Sequence, residues 1–348
     1  AIKIAPIYDN PVVHVRDASR SGPVVTSLLS NESRDTFVEA NEQRHLDLCE
    51  KFGVKAAKKR LITLGEAREK CFKCDWQAID IAVPDGVSEG FCEPELEDIV
   101  PFIDWSPFFH TWELRGRYPA ILDDPEMGEE ARKLHDDAIE MLNVIISGKK
   151  LKARGTWGLF PANSRGDDID VYTDESRTEV RCVFHTLRQQ MVKKNKPNYA
   201  LADFIAPLES GREDYIGAFM VAIQGADLLS AGFEENKDDY SGIMVKALAD
   251  RFAEAFTEKL HHEVRVAWGY EKPDEYNNSE YIRECYRGIR PAGGYPAQPD
   301  HTEKRILFDL LSAEKKTGAS LTESMAMQPA SAVSGLYFSH PDSRYFGV

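Results

Sequence analysis

The fold class is decided by two neighbouring stretches, Gly155-Thr-Trp-Gly-Leu-Phe160 and Asp168-Ile-Asp-Val-Tyr172. Both are short and rich in β-branched and aromatic residues, a composition typical of strands. Further strand-like stretches follow at residues 178–184 and 215–223, and the first connections are short and polar. Because a parallel crossover needs a dozen or more residues, short connections favour hairpins and a mainly antiparallel sheet.

Helical patterns flank these strands. Apolar residues recur at helical spacing from Met127 to Ile145, where Gly148 ends the pattern, and again from residue 239 to 264. Another helix is predicted from Thr302 to about residue 316, and a last strand at 334–338. One sheet with several covering helices predicts the α+β class.

Other stretches give weaker patterns. Residues 34–52 repeat apolar side chains on one helical face, and we expect Gly53 to end that helix. Residues 75–105 contain several Pro and Gly residues and are predicted to be irregular. The adjacent pair His261-His262 is predicted to close the long helix, where a positive charge is favourable.

Composition limits the class of function. The chain has 348 residues, a net charge of −15 and a pI of about 5.2. Nucleic-acid binding generally requires a broad basic surface, and this chain is strongly acidic, so no nucleic-acid partner is expected. We find neither a run as long as a membrane span nor a secretory signal. The six Cys are scattered, so we expect a reducing, cytoplasmic protein without membrane attachment.

A stiff loop is the first candidate site, with the sequence Arg290-Pro-Ala-Gly-Gly-Tyr295-Pro-Ala-Gln-Pro-Asp-His301. Its guanidinium suits a ligand carboxylate, because Arg can bind carboxylate through two parallel hydrogen bonds. The loop precedes a helix N-terminus, a place where anions gather. A loop that only connects two elements is the alternative.

Two carboxylates are further candidates. Asp104 lies among aromatic residues in Phe102-Ile-Asp-Trp-Ser-Pro-Phe-Phe109, where it either caps a helix at Ser106 or accepts a hydrogen bond from a ligand ammonium group. Glu254 lies at the border of the apolar face of the long helix. It forms either a surface ion pair or a contact with a ligand.

Metal and nucleotide motifs receive little support. Cys71-Phe-Lys-Cys74 is a single CxxC pair without the second pair that a zinc ribbon needs, and two ordinary thiols are the simpler interpretation. The sequence has no GxGxxG, Walker or GxSxG motif, so binding of NAD or ATP and serine-hydrolase chemistry have no local basis.

Several motifs in one order support a resemblance to a known family. They are Phe102–Phe109 as quoted, Gly158-Leu-Phe-Pro-Ala-Asn163, Leu201-Ala-Asp-Phe204, Asp239-Tyr-Ser-Gly-Ile-Met-Val-Lys-Ala-Leu-Ala-Asp250, Gly288-Ile-Arg-Pro-Ala-Gly-Gly-Tyr-Pro296 and Ser334-Gly-Leu-Tyr-Phe-Ser-His-Pro-Asp-Ser343. Together they closely resemble the C-terminal S-adenosylmethionine-binding activation domain of cobalamin-dependent methionine synthase, in an animal-like form.

The resemblance implies a domain organisation and a fold. It spans residues 31–348, which are expected to form the activation domain. Residues 1–30 are expected to be a linker or the end of a preceding cobalamin-binding module, which Val15-Arg-Asp-Ala-Ser-Arg-Ser21 resembles. The family implies a single large helmet- or C-shaped α+β domain with a twisted, mainly antiparallel sheet. The chain is therefore expected to be a module of a longer protein.

The resemblance also implies a set of site residues. Asp104 would hold the ligand ammonium group, Arg290 the carboxylate, and Glu254 a position near the ribose. The remaining matches are the adenine-end backbone at Ala292, Gly294 and Tyr295, the aromatic pair Tyr345 and Phe346, and the cobalamin-facing Glu284 and His301. Phe346 stands where the family commonly has Tyr. No catalytic acid or base and no metal ligand is expected in this domain.

The implied function is reactivation of methionine synthase. S-adenosylmethionine would donate its methyl group for the reductive methylation of inactive cob(II)alamin to methylcobalamin, within a pathway of methionine biosynthesis. The implied partners are the cobalamin-binding module of the same chain and an FMN-containing reductase, either methionine synthase reductase or a flavodoxin-like protein. Zinc is expected only elsewhere in the full-length enzyme, and the isolated fragment is expected to lack full turnover.

Two other functions stay open at this point. One is a regulatory module that senses S-adenosylmethionine without methyl transfer. The other is a redox or zinc-thiolate domain that uses Cys71 and Cys74.

Overall fold

The computed structural model describes residues 4–5, 8, 10–15, 20–58 and 61–348, with the backbone alone for residues 52–58. Two sequence predictions fall partly outside this range. Residues 16–19 of the segment that resembles the preceding module are not described, and neither are residues 59–60 of Lys55-Ala-Ala-Lys-Lys-Arg60, a basic run considered for docking of the implied reductase.

The chain divides into two compact units, Ala1–Ala67 with Gln190–Lys196 and Arg68–Gln189 with Pro197–Val348. The helices at the start of the chain are α1 (Ser21–Leu29), α2 (Arg34–Lys58) and α3 (Leu64–Glu69). α1 falls inside the stretch assigned to a linker, and that domain boundary stays a prediction.

α2 continues past Gly53, so the expected helix end was wrong. A glycine inside a helix costs only about 1 kcal/mol relative to Ala, and a long helix tolerates it.

The second unit contains the sheet and its covering helices. Its described helices are α4 (Leu96–Ile99), α5 (Ser106–Thr111), α6 (Gly128–Ser147), α7 (Ala226–Glu235), α8 (Asp239–Trp268), α9 (Asn278–Ile282), α10 (Glu303–Leu311) and α11 (Ala313–Thr317). Its described strands are β1 (Ser88–Cys92), β2 (Lys152–Arg165), β3 (Asp168–Tyr172), β4 (Val180–His185), β5 (Asp214–Gln224), β6 (Ser320–Leu321), β7 (Met327–Gln328) and β8 (Ala332–Tyr337).

The main sheet has the strand order β4-β3-β2-β5-β8, and β1 also pairs with β2. These strand pairs are antiparallel, as are β6 and β7, which form a separate small sheet. The α+β class and the mainly antiparallel sheet are therefore confirmed. The predicted strands recur as β2, β3, β4, β5 and β8.

The sheet is buried on both faces. Side chains of β5 alternate between two cores, with Phe219 and Val221 in the first and Ala218 and Met220 in the second. Helices α5, α6 and α8 supply the first core, while α10 and α11 supply the second. Each fully buried large apolar side chain contributes roughly 1.5–3 kcal/mol, so these two layers hold the sheet rigidly.

Three details differ from the sequence predictions. The helix expected at 302–316 is two helices, because Ser312 takes a left-handed φ of 53° between α10 and α11. The stretch 75–105, expected to be irregular, contains β1 and α4. α8 runs to Trp268, so His261 lies inside it rather than at its end.

His261 is fully buried, and burial lowers the pKa of its imidazole well below the ordinary value. The helix-end charge expected at this residue was therefore wrong. In the described part of the chain, no helix combines the length and the apolar character needed to cross a membrane.

Candidate functional site

The Arg290 loop is fixed to the edge of the main sheet. The N–H of Ile289 donates to the carbonyl of Phe338 at 3.1 Å, and the N–H of Phe338 donates back at 3.0 Å. The carbonyl of Pro291 accepts from the N–H of Leu336 at 3.0 Å. The loop therefore begins as an extra strand beside β8, which gives Arg290 a defined backbone position.

A cavity of about 460 Å³ opens beside this loop. Pockets for small molecules commonly measure roughly 300–1,000 Å³, so the size suits a drug-sized ligand. Its described lining comes from β5, α8, the segment after α9, the loop, β8 and the C-terminal segment: Phe219, Glu254, Thr257, Glu284, Arg290, Pro291, Ala292, Tyr295, Pro296, Ala297, Val333, Tyr345 and Phe346.

Arg290 carries the main positive charge of the cavity wall. Its Nη2 lies 2.8 Å from Glu258 Oε2 and 3.1 Å from Glu284 Oε1, and its Nη1 donates to the hydroxyl of Tyr286. Although burial disfavours the charge, the carboxylate of Glu258 raises the pKa of Arg290 above its ordinary value. The guanidinium therefore stays charged where it meets the cavity.

Aromatic rings and a second carboxylate form other parts of the wall. Glu254 is exposed on α8, and Tyr295 is 59% exposed on the loop. Partial burial, together with the nearby charge of Glu254, raises the pKa of Tyr295. Such rings and carboxylates can accommodate cationic groups of a ligand.

The two aromatic residues at the C-terminal end make different contacts. The hydroxyl of Tyr345 accepts a hydrogen bond from the backbone N–H of Arg290 at 3.1 Å. Phe346 is half-buried, and its ring stacks on Tyr199 with centroids 5.6 Å apart. Tyr345 thus fixes the loop, while Phe346 anchors the chain end to the second core.

Gly294 shapes the turn of the loop. It has a left-handed φ of 95°, its N–H donates to the carbonyl of Gln298 at 2.7 Å, and a Cβ there would collide with the ring of His301. Only glycine fits this position without strain. Nδ1 of His301 lies 3.0 Å from Nζ of Lys304.

Asp104 is exposed at the start of α5. Its Oδ1 accepts a hydrogen bond from the N–H of Ser106 at 2.9 Å, which is the helix-start role considered from the sequence. Its neighbours Phe108 and Phe109 are fully buried in the first core. The contact with a ligand ammonium group stays a prediction.

Most of the predicted site residues lie together. Those that line the cavity are Glu254, Glu284, Arg290, Ala292, Tyr295, Tyr345 and Phe346. Asp104, Gly294 and His301 are not among its described lining residues. Which of these residues touch a ligand stays a prediction.

Sequence reasoning missed the residues that hold Arg290. Glu258 follows Glu254 by one helical turn and Tyr286 precedes Arg290 by four residues. The spacing of Glu254 and Glu258 places both carboxylates on one side of α8, which is a signal that the sequence does contain. Nothing local indicates that Glu258 pairs with an arginine so distant in the chain.

The cysteine pair gives no support to thiolate chemistry. Sγ of Cys74 lies 3.7 Å from Nε2 of His340, and burial raises the pKa of this thiol to about 11. A reactive cysteine needs a lowered pKa. Among the described residues, no group of three His, Cys, Asp or Glu side chains is placed to hold a metal ion.

Fold and cavity together define an α+β domain with an antiparallel sheet and a small-molecule site where an edge strand meets a long helix. The sequence model of the family described as vitamin B12 dependent methionine synthase, activation domain, matches residues 95–348. The chain belongs to this family, which is a domain of a methyltransferase.

A solved structure agrees with this assignment. The chain is similar to the MetH reactivation domain, whose crystal structure was determined bound to AdoHcy. The sequence identity is 52% and the TM-score 0.80, over 82% of this chain and 89% of that chain. The resemblance stated from the motifs is thereby confirmed.

Proposed function

We propose that this chain binds S-adenosylmethionine in the cavity beside Arg290 and presents its methyl group to cobalamin held by a neighbouring module. Family membership and the AdoHcy-bound relative support this proposal. AdoHcy is what remains of S-adenosylmethionine after its methyl group has been transferred, so it reports on the same kind of site.

The observation that carries the proposal is the charge pattern of the cavity. S-adenosylmethionine has one carboxylate and two cationic groups, an ammonium and a sulfonium. The lining offers the guanidinium of Arg290 for the first, and the carboxylate of Glu254 with several aromatic rings for the others. A paired guanidinium and carboxylate fix orientation as well as affinity.

Individual roles follow the family pattern. Arg290 binds the carboxylate, Asp104 the ammonium group, and Glu254 lies near the ribose. The backbone at Ala292, Gly294 and Tyr295 contacts the adenine end of the ligand. The aromatic side chains of Tyr345 and Phe346 also contact the ligand. These roles are proposals for this chain.

Methyl transfer from a sulfonium is an in-line displacement in which the methyl carbon leaves a thioether. The thioether departs neutral, so the step needs neither a general acid nor a general base. The contribution of this chain is then positioning, which keeps the reacting atoms close and aligned. Reduced cobalamin, when docked, supplies the nucleophile that accepts the methyl group.

Docking of the cobalamin module is proposed to involve Glu284 and His301. Glu284 is at the cavity lining and His301 lies beside the turn at Gly294. Substitution of His301 by Ala is expected to leave S-adenosylmethionine binding intact and to slow reactivation of the intact enzyme. A normal reactivation rate would reject this interface.

An FMN-containing reductase is proposed as the electron donor. Such donors are usually acidic, as this chain is, so basic runs at residues 55–60, 149–154 and 193–196 would relieve the repulsion. Charge reversal of all three runs is expected to slow reactivation and to change its salt dependence. If both stay as in the wild type, the docking proposal fails.

Calorimetric titration with S-adenosylmethionine tests the binding proposal. One equivalent should bind, and the ligand should raise the melting temperature of the chain. Asp104→Asn should weaken binding through loss of the anionic acceptor, while Asn can still accept the hydrogen bond from the N–H of Ser106. A flat titration without a thermal shift would reject the binding site, and unchanged affinity in the variant would reject the role of Asp104.

Methyl transfer separates this function from a sensor that only binds the ligand. The chain is mixed with a separately supplied cobalamin-binding module, a reductant and methyl-labelled S-adenosylmethionine. Transfer of the label to cobalamin supports a reactivation domain. Binding without transfer in the joined full-length protein would favour the sensor.

A further inference from the structure

We propose that the two carboxylates paired with Arg290 have different roles in ligand binding. Glu258 stays in place and positions the guanidinium, whereas Glu284 is an exchangeable partner that the ligand carboxylate replaces. This inference rests on the proposed function, since it concerns how the cavity receives the carboxylate of S-adenosylmethionine.

The geometry places both carboxylates on one nitrogen. Nη2 of Arg290 lies 2.8 Å from Glu258 Oε2 and 3.1 Å from Glu284 Oε1. A guanidinium Nη carries two N–H donors, so these two contacts engage both of them. A ligand carboxylate that reaches Nη2 must therefore take the place of one of the two glutamates.

Burial decides which glutamate leaves. The side chain of Glu258 is 5% exposed, whereas that of Glu284 is 39% exposed. Separation of Glu258 from the guanidinium would leave a buried carboxylate without its counter-charge, which is strongly unfavourable. Glu284 can turn toward water instead, and surface ion pairs are weak.

The backbone segments that carry the two glutamates also differ, because that of Glu258 is packed more firmly than that of Glu284. Glu258 lies in the middle of α8, which packs on the sheet and is buried along much of its length. Glu284 follows the end of α9 and has a left-handed φ of 52°. One carboxylate is thus part of a packed helix, and the other is on a short connection at the cavity.

A buried stack supports Glu258 and Arg290 from behind. The hydroxyl of Tyr286 lies 3.3 Å from Glu258 Oε2 and also accepts from Arg290 Nη1. The guanidinium of Arg265 lies 3.6 Å from the ring centroid of Tyr286, and Arg265 is paired with Glu271. This arrangement keeps Arg290 in one orientation before a ligand arrives, which lowers the ordering cost of binding.

The exchange also explains why the cavity binds a carboxylate although it is rich in acidic groups. Glu284 pairs with Nη2, the nitrogen to which the ligand carboxylate is proposed to bind, so the guanidinium does not face the cavity without a counter-charge. Ligand entry replaces one carboxylate by another and leaves the charge balance at Arg290 unchanged. A ligand without a carboxylate gains nothing from this exchange.

The test compares two ligands that differ only in the carboxylate, S-adenosylmethionine and decarboxylated S-adenosylmethionine. Both are titrated by calorimetry into the wild-type chain and into Glu258→Gln and Glu284→Gln. Glu258→Gln should weaken S-adenosylmethionine about tenfold or more. Glu284→Gln should strengthen it about threefold or more, and neither variant should shift the affinity of the decarboxylated ligand by more than about twofold.

A matched control and a second variant secure the interpretation. Glu263→Gln removes a surface carboxylate that is paired with Lys259 on the same helix, and it should leave both affinities unchanged. Tyr286→Phe removes the hydroxyl that links Arg290 and Glu258, and it should weaken only the ligand with a carboxylate. It replaces Glu258→Gln as the test if the latter does not fold.

Two results would overturn the inference while the proposed function stands. In the first, the wild-type chain binds S-adenosylmethionine normally, but Glu258→Gln loses affinity equally for both ligands or loses none. The same result in Tyr286→Phe counts if Glu258→Gln does not fold. The other is unchanged or weaker S-adenosylmethionine binding in Glu284→Gln. Absence of binding to the wild-type chain would instead overturn the proposed function, and this inference with it.

Discussion

Arg188 and Arg290 are two largely buried arginines of the same unit, with side chains 2% and 15% exposed. Arg188 binds Asp167 at 2.7 Å, Asp203 at 2.6 Å and the carbonyl of Asn198 at 2.7 Å. Its carboxylate partners are both at most 10% exposed. Arg290 has one buried carboxylate partner and one that is 39% exposed at a cavity.

This difference separates an arginine that stabilises the fold from the one that is proposed to bind a ligand. Every partner of Arg188 belongs to the folded interior, so its charge is balanced permanently and holds distant segments together. One carboxylate partner of Arg290, Glu284, is 39% exposed, and we propose that a ligand carboxylate can replace it. Burial alone therefore does not distinguish the two arginines, and the proposal for Arg290 depends on the adjacent cavity and the exposed partner.

The largest effect is expected at Arg188. Arg188→Ala leaves the carboxylate of Asp203 without its charged partner and leaves Asp167 with only the exposed Arg68, so it should lower the free energy of unfolding by about 3–5 kcal/mol. Urea denaturation measures this loss. Arg68→Ala is the control, because Arg68 also binds Asp167 but is 56% exposed. Arg68→Ala should lower the free energy of unfolding by less than about 1 kcal/mol. Equal losses in Arg68→Ala and Arg188→Ala would contradict the comparison.

Arg290 should show its effect in binding. Arg290→Ala is expected to reduce the affinity for S-adenosylmethionine by about 2–4 kcal/mol, because the ligand carboxylate loses its charged partner. Calorimetry measures the change. Arg283→Ala removes an exposed arginine that contacts Ser279 in the preceding helix, and it should not alter the affinity. Unchanged affinity in the Arg290 variant would remove this residue from the site.

Acid should weaken the region near Arg188. His340 packs on Phe72, Trp76 and Phe204, the residue that follows Asp203, and burial lowers the pKa of its imidazole to about 4. The unfolded histidine takes up its proton near pH 6.5, well before the folded one. The neutral imidazole of His340 therefore makes its full contribution to the free energy of unfolding above about pH 6.5. This contribution falls by about 1–3 kcal/mol as the pH drops toward 4.

Comparison of pH profiles isolates this contribution. Urea unfolding is measured from pH 7 to pH 4 for the wild type and for His340→Gln, which places a neutral polar side chain at the same position. The variant should show a shallower decline over this range. Parallel profiles would show that His340 does not carry the acid sensitivity.

The smallest effect is expected at Tyr345. Tyr345→Phe removes the acceptor of the Arg290 backbone N–H, so the loop loses one hydrogen bond and ligand affinity should fall by about 0.5–1.5 kcal/mol. Tyr240→Phe removes a hydroxyl that binds Asp137, outside the described lining of the cavity, and is the control. A loss as large as that of Arg290→Ala would mean that Tyr345 contacts the ligand directly.

Much of the fold could be predicted because it depends on local patterns. The strand-like composition of β3 and β5 and the apolar repeat of α6 with Gly148 at its end depend on residues close together in the chain. Boundaries were less accurate where a local signal was overruled. Gly53 did not stop α2, and α8 extended beyond His261 because Arg265 and Trp268 are buried and keep the helix packed.

The candidate site was predictable only in part. Arg290 was found because Pro and Gly surround it, and Glu254 because it borders an apolar helix face. Asp104 was chosen for its aromatic surroundings, yet those rings pack into the core while its carboxylate is exposed and binds the N–H of Ser106. The expectation that the ligand is S-adenosylmethionine came from the family resemblance rather than from the residue pattern.

The strand and helix patterns, the stiff Pro/Gly loop after Arg290 and the family of the chain could be read from residues close together in the chain or from their order. The pairing of Glu258 with Arg290 and the position of Asp167 and Asp203 around Arg188 follow from three-dimensional packing. Ion pairs between distant residues depend on how helices and strands pack, and on how much water each charge loses in the process. That difference in desolvation distinguishes the arginine that stabilises the fold from the one proposed to bind the ligand.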